Sequence, residues 1–135
     1  MKVTDIIPQR SPFLLLDQVI EVQAGKSAIA QKNVTINEWF LKNNKRLVMP
    51  SMLIIEALAQ TGAMAILSDD NHRNKNAFFG GIKQADIYTS VTCGDQLTFE
   101  VQLTKLKEPV GKGHGIVTNQ NHEIILEADL IFVIG

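Results

Sequence analysis

The sequence predicts an α+β domain in which an antiparallel sheet of five or six strands wraps around one central helix. Residues 51–67 are long enough for a helix and are apolar around nearly the whole helical circumference, so this helix must be surrounded. Several other segments alternate apolar and polar residues with the period of two that strands show, most clearly residues 97–104. A curled sheet around the helix satisfies both patterns. Its free edge and remaining apolar surface predict a dimer.

The other elements follow from the pattern along the chain. Short helical turns are predicted at residues 4–7, which Pro8 ends, and at residues 37–42. Ser51 is the predicted N-cap of the long helix. Strands are predicted over residues 13–23, 27–34, 77–88, 97–104, 115–120 and 123–134, with a hairpin turn around Asn121 joining the last two.

Glycines mark two local features of the predicted sheet. Gly80 and Gly81 lie inside a predicted strand, where glycine indicates a bulge or a close approach of backbones. The run Gly111-Lys112-Gly113 is too short for a phosphate-binding loop and predicts a hairpin turn.

Composition limits the class of protein. A chain of 135 residues predicts a single domain, 1–135. The 13 basic and 14 acidic residues exclude the basic excess of a nucleic-acid-binding domain. Residues 1–12 lack the apolar core of a secretory signal, and the apolar run 52–67 is shorter than a membrane span of ~20 residues. The single cysteine, Cys93, favours a reducing compartment, so we expect a cytoplasmic protein.

Glu56 is the strongest candidate for a catalytic residue. It lies in the middle of the apolar helix, where burial would raise the pKa of its carboxyl and suit it to acid–base chemistry. Gln60 follows one turn later on the same face. The Ser51 backbone N–H, at the start of the helix, could polarise an ester or thioester carbonyl. The alternative is a glutamate that reaches solvent at the helix edge, and periodicity alone does not separate the two.

No metal or cofactor is predicted. The spacing of the histidines (72, 114 and 122) does not match a metal-ligand set.

Three segments carry a resemblance to a known family. The sequence resembles the (3R)-hydroxyacyl-acyl-carrier-protein dehydratases of fatty-acid synthesis in residues 8–17 (PQRSPFLLLD), 32–38 (KNVTINE) and 48–60 (VMPSMLIIEALAQ). Residues 79–82 (FGGI) and 94–97 (GDQL) match later family segments in the right order. The resemblance covers nearly the whole chain.

The resemblance implies a hot-dog fold, a sheet wrapped around a central helix, in dimers or trimers of dimers. It implies an acyl thioester substrate on acyl carrier protein or CoA, bound at a site shared by two subunits. One subunit supplies a histidine and the other an acid on its helix. Glu56 would be that acid, Gln60 would support it, and the Ser51 N–H would polarise the thioester carbonyl. The residues implied to line the substrate site are Met49, Pro50, Phe79, Gly80 and Gly81.

The sequence departs from the family pattern where the catalytic histidine is expected. The family has Gly-His-Phe-Pro-Gly-x-Pro before Val-Met-Pro, whereas residues 43–47 read Asn-Asn-Lys-Arg-Leu, about two residues shorter. Asn44 falls nearest the vacated position, and Gln9 replaces a second histidine of the family. Three hypotheses remain open. The chain is a dehydratase that uses Glu56, an acyl thioesterase that uses Glu56, or a non-catalytic acyl-binding subunit that pairs with a complete dehydratase.

Overall fold

The computed structural model of the chain describes residues 2–42, 45 and 47–135. In these residues one α-helix, α1 (Ser51–Leu67), and two short 3₁₀ helices (Val3–Asp5 and Trp39–Leu41) accompany six strands. The strands are β1 (Gln18–Gln23), β2 (Ser27–Asn33), β3 (Ala77–Ile87), β4 (Gln96–Lys107), β5 (Val110–Thr118) and β6 (Ile124–Ile134).

The six strands form one antiparallel sheet in the order β1-β2-β4-β5-β6-β3. The strand pattern of alternate burial is clearest in β4, where Leu97, Phe99 and Val101 are fully buried beneath the helix. From Ala57 to Leu67 every residue of α1 is buried. The predicted wrapping of a sheet around a central helix is therefore confirmed.

The helix approaches the sheet closely because one strand presents glycines to it. Gly111, Gly113 and Gly115 occupy alternate, buried positions of β5. A Cβ atom at Gly115 would lie 2.6 Å from Cδ2 of Leu58 on the helix. The prediction of a hairpin turn at residues 111–113 is wrong. β5 already begins at Val110, which pairs with Lys107 across a tight turn.

Two other predictions need correction. The strand predicted from residue 13 starts only at Gln18, because Gln60 of the helix takes the backbone hydrogen bonds of residues 13 and 15. Ser51 is the first helical residue rather than the N-cap, a position that Pro50 occupies. The carbonyl of Pro50 accepts the amides of Leu53 and Ile54, at 3.0 and 3.2 Å.

The bulge predicted at the paired glycines is confirmed. The register of β3 against β6 shifts between Phe79 and Gly81, which leaves Gly80 as the extra residue. Within the described residues, no helix combines the length and the apolar character needed to cross a bilayer.

Candidate active site

A cleft of about 200 Å³ opens between the middle of α1, the start of β3 and the segment that precedes β1. It combines one carboxyl group and two side-chain amides with alanine and phenylalanine side chains. Its lining residues are Gln9, Glu56, Ala59, Gln60, Ala63, Ala77, Phe78 and Phe79. The structure thus brings together Glu56, Gln60 and Phe79, three of the residues that the sequence singled out.

Glu56 is half-buried in this cleft, on the helix face that turns toward β3. Burial raises the pKa of its carboxyl above the ordinary value of 4.5, and a hydrogen bond from Gln60 offsets part of that rise. The cause is desolvation, because an apolar surrounding penalises the charged form of the carboxylate. The pKa of the Glu56 carboxyl thereby moves toward the range in which a group can both give and take a proton near neutral pH.

Gln60 fastens the N-terminal segment to the helix. Its side chain is 1% exposed. Its Nε2 donates to the Phe13 carbonyl at 2.8 Å, and its Oε1 accepts the Leu15 amide at 3.1 Å. Sequence spacing placed Gln60 on the same face as Glu56, but it could not show that the amide also holds a segment more than 40 residues away.

Arg10 holds the part of this segment that reaches the cleft. Its guanidinium donates to the carbonyls of Ile7 and Gln9, both at 2.8 Å, and to that of Thr4 at 3.1 Å. The side chain of Gln9 then lines the cleft with Glu56. Gln9 was expected only as the replacement of a family histidine and not as a site residue, because no local pattern links it to Glu56.

The predicted carbonyl-polarising group lies at the start of the helix. Ser51 is the first residue of α1, so its amide is at the positive end of the helix dipole. Ser51 is not among the residues that line the cleft of the single chain. Its predicted role stays a prediction.

Four other residues predicted to contact substrate lie outside the cleft lining. Met49 is buried and donates its amide to the Val91 carbonyl at 2.8 Å, and Pro50 caps the helix. Gly80 and Gly81 follow Phe79 through the bulge of β3. Their predicted contacts with a substrate remain predictions.

The imidazoles of the chain lie away from the cleft. His72 faces Asp69 and Glu108, at 3.7 and 3.3 Å, and His122 lies in the turn between β5 and β6. His114 contacts Asp129 at 2.8 Å and Glu127 at 3.3 Å. None of the three lines the cleft that holds Glu56. Asn44, which the sequence aligned with the vacated histidine position, lies outside the described residues.

Comparisons with known proteins agree on the family. The model of the FabA-like domain matches residues 7–130. The chain is 47% identical to the 3-hydroxyacyl-[acyl-carrier-protein] dehydratase FabZ of Bacillus cytotoxicus, over 99% of this chain and 94% of that protein. It is 48% identical to the FabZ of Clostridium botulinum strain Okra, over 96% of this chain and 91% of that protein.

A solved structure shares the fold. The dehydratase heterocomplex ApeI:P from Xenorhabdus doucetiae superposes with a TM-score of 0.85 at 20% identity, over 98% of this chain and 90% of the matched chain. The antiparallel sheet and its central helix are thus those of a hot-dog fold. With the family-model match and the close relatives, this shows that the chain belongs to the FabA-like family of 3-hydroxyacyl-acyl-carrier-protein dehydratases.

Proposed function

We propose that this chain dehydrates 3-hydroxyacyl thioesters, carried by acyl carrier protein or CoA, and that Glu56 is its acid–base group. The observation that carries this proposal is the half-buried Glu56 carboxyl, whose pKa burial raises, in a cleft on a chain of the dehydratase family. The FabZ relatives are named for the same reaction on carrier-protein substrates.

The elimination can be written with Glu56 alone. Its carboxylate takes a proton from C2 of the acyl chain, and the C2–H electron pair forms the C2=C3 double bond. The C3–O bond breaks, and the protonated carboxyl gives its proton to the hydroxyl, which leaves as water. A raised pKa favours both halves of this cycle, because the carboxylate is a stronger base and the acid persists nearer neutral pH.

The remaining residues of the proposed site bind and orient the substrate. The Ser51 N–H, at the helix N-terminus, would polarise the thioester carbonyl as charge develops on its oxygen. Gln60 would hold Glu56 through a hydrogen bond. The acyl chain would contact Phe79 and, in our proposal, also Met49, Pro50, Gly80 and Gly81.

The edge strand β3 is the surface on which we expect a second subunit. Among the described strands β3 pairs only with β6, and two of its large apolar residues, Phe78 and Ile87, are 59% and 55% exposed. Phe78 and Phe79 of this strand also wall the cleft. A copy added at this edge would satisfy the unpaired backbone groups and close the cleft with its own residues. We therefore propose a homodimer, or a trimer of such dimers, in the cytoplasm.

A second candidate follows because the described residues that line the cleft include no histidine. In it, the chain supplies Glu56 to a mixed dimer with a complete dehydratase, whose histidine takes the C2 proton while Glu56 protonates the leaving hydroxyl. The ApeI:P structure, a dehydratase heterocomplex with the same fold, is a precedent for such an assembly.

One assay on the purified protein tests the proposal. The protein is given a 3-hydroxyacyl thioester on carrier protein or on CoA, and enoyl product and free thiol are followed together. We expect enoyl product, and we expect Glu56→Gln to lower its rate by about 10²–10⁴-fold. The exposed Glu100, on β4, provides the matched control Glu100→Gln, which should leave the rate unchanged.

Three other outcomes would redirect the assignment. Thiol release that depends on Glu56 indicates a thioesterase. If neither product forms, the chain is co-expressed with a complete relative, and Glu56-dependent activity of the co-purified pair supports the mixed dimer. Inactivity in both forms would refute a catalytic role for Glu56 and leave the acyl-binding alternative.

A further inference from the structure

The carbonyl oxygen of the Gln9 side chain is buried without a hydrogen-bond partner, and Gln9 lines the cleft. Of the buried side-chain nitrogen and oxygen atoms in the described residues, Gln9 Oε1 alone has no partner. Buried polar atoms in proteins are nearly always paired, and an unpaired one is costly. Gln9 lines the same cleft as Glu56, so a turn of its side chain would bring this oxygen to a molecule bound there, which can supply the missing donor.

The backbone that carries Gln9 is held on both sides of this residue. On its N-terminal side, Arg10 binds the carbonyls of Thr4 and Ile7, and it also binds that of Gln9 itself. On its C-terminal side, Gln60 binds residues 13 and 15. The backbone from which the Gln9 side chain enters the cleft is therefore fixed before a ligand arrives, as a binding residue requires.

The unpaired Gln9 Oε1 can distinguish between acyl thioesters by the hydrogen bond that it accepts. A carbonyl oxygen accepts a hydrogen bond and cannot donate one. At C3 of the acyl chain a hydroxyl can donate, whereas a 3-oxo group only accepts and a methylene does neither. A 3-hydroxyl that donates to Gln9 keeps its lone pairs free, and one of them can accept the proton of Glu56.

We propose that Gln9 is a specificity-determining residue whose Oε1 accepts a hydrogen bond from the substrate 3-hydroxyl. Gln9 thereby distinguishes 3-hydroxyacyl thioesters from their 3-oxo and saturated counterparts and orients the hydroxyl oxygen toward Glu56. This inference rests on the proposed function, since it assigns a group to the same substrate.

Binding of three matched analogues tests the inference. The probes are 3-hydroxyacyl, 3-oxoacyl and saturated acyl pantetheine amides of equal chain length, in which the amide replaces the thioester and slows turnover. Titration calorimetry measures the affinity of each for the wild-type protein and for Gln9→Met, which keeps the side-chain length but lacks the amide. The exposed Gln18, on β1, gives the matched control Gln18→Met.

We expect the wild-type protein to prefer the hydroxyl analogue by roughly threefold to tenfold, the value of one neutral hydrogen bond. Gln9→Met should abolish this preference while the saturated analogue binds as before, and Gln18→Met should retain it. Should Gln9→Met fail to fold, Gln9→Asn, which withdraws the carbonyl by one methylene, serves in its place and should also lose the preference.

The outcomes separate the two proposals. If the wild-type protein binds all three analogues equally, or if the Gln9 variants keep the preference, the inference is overturned while the proposed function stands. If none of the analogues binds the wild-type protein, both are overturned. Loss of the preference in the Gln9 variants, with the saturated analogue unaffected, supports the inference.

Discussion

Substitution of Gly115 by alanine should force the central helix away from the sheet. Gly115 lies on the buried face of β5, and a Cβ atom there would be 2.6, 2.7 and 2.8 Å from Cδ2, Cγ and Cδ1 of Leu58. Carbon atoms in ordinary contact are about 3.5–4.0 Å apart. Leu58 is fully buried, so its side chain cannot turn into solvent to make room. The helix and the strand must therefore separate by about 1 Å near this point.

Overpacking of this kind costs typically ~1–3 kcal/mol, and the simultaneous clash with three atoms places Gly115→Ala toward the upper end. For a chain of this length each kcal/mol lowers Tm by about 3–5 °C. The same displacement moves the helix that carries Glu56, two residues before Leu58. A misplacement of ~1 Å at a reacting group can lower the rate by about 10²-fold.

Chemical denaturation at one fixed protein concentration measures the free energy of unfolding, because assembly makes stability depend on concentration. The control is Gly135→Ala, just after β6, where an added Cβ meets nothing within 4 Å. Leu58→Ala should relieve the clash, so the double variant should be more stable than the sum of the single effects predicts. The proposed close packing is refuted if the free energy of unfolding of Gly115→Ala lies within about 0.5 kcal/mol of the wild-type value. It is also refuted if the effects of the two substitutions simply add in the double variant.

Three further predictions concern the polar groups. Because burial raises the pKa of Glu56, its ionisation opposes folding as pH rises above 4.5. The free energy of unfolding should therefore fall as pH rises, and Glu56→Gln should remove this fall in denaturation curves taken across pH 4–8. An unchanged pH profile would argue against the raised pKa of Glu56. Gln60→Leu leaves two backbone partners unsatisfied, so we expect a loss of about 1–3 kcal/mol and faster hydrogen exchange in the segment before β1; unchanged exchange would contradict this role. The neighbouring Asp129 raises the pKa of His114 above 6.5. The stabilisation by the protonated imidazole is complete below pH 6.5 and is lost as pH rises through the raised pKa. His114→Leu should flatten the dependence of the free energy of unfolding on pH. Equal slopes of that dependence in both proteins would refute this prediction.

Local sequence patterns determined the architecture of this protein. The apolar circumference of residues 51–67 predicted a surrounded helix, and α1 spans those residues. The alternation in residues 97–104 predicted a strand with one buried face, which β4 is. Both periodicities arise within a single element, so no knowledge of distant residues is needed to recognise them. The family motifs around Glu56 and Gln60 likewise lie in one continuous segment.

The tertiary structure alone decided how separate segments meet. The start of β1 depends on Gln60, which lies 47 residues beyond the carbonyl that it binds. The glycines of β5 resemble turn residues locally, yet they lie in a strand, where Leu58 occupies the space that a side chain at Gly115 would fill. Gln9 becomes a neighbour of Glu56 only when Arg10 and Gln60 hold the N-terminal segment over the helix. Hydrogen-bond partners, close packing and desolvation depend on distances between residues far apart in the chain, and spacing along a sequence does not contain those distances.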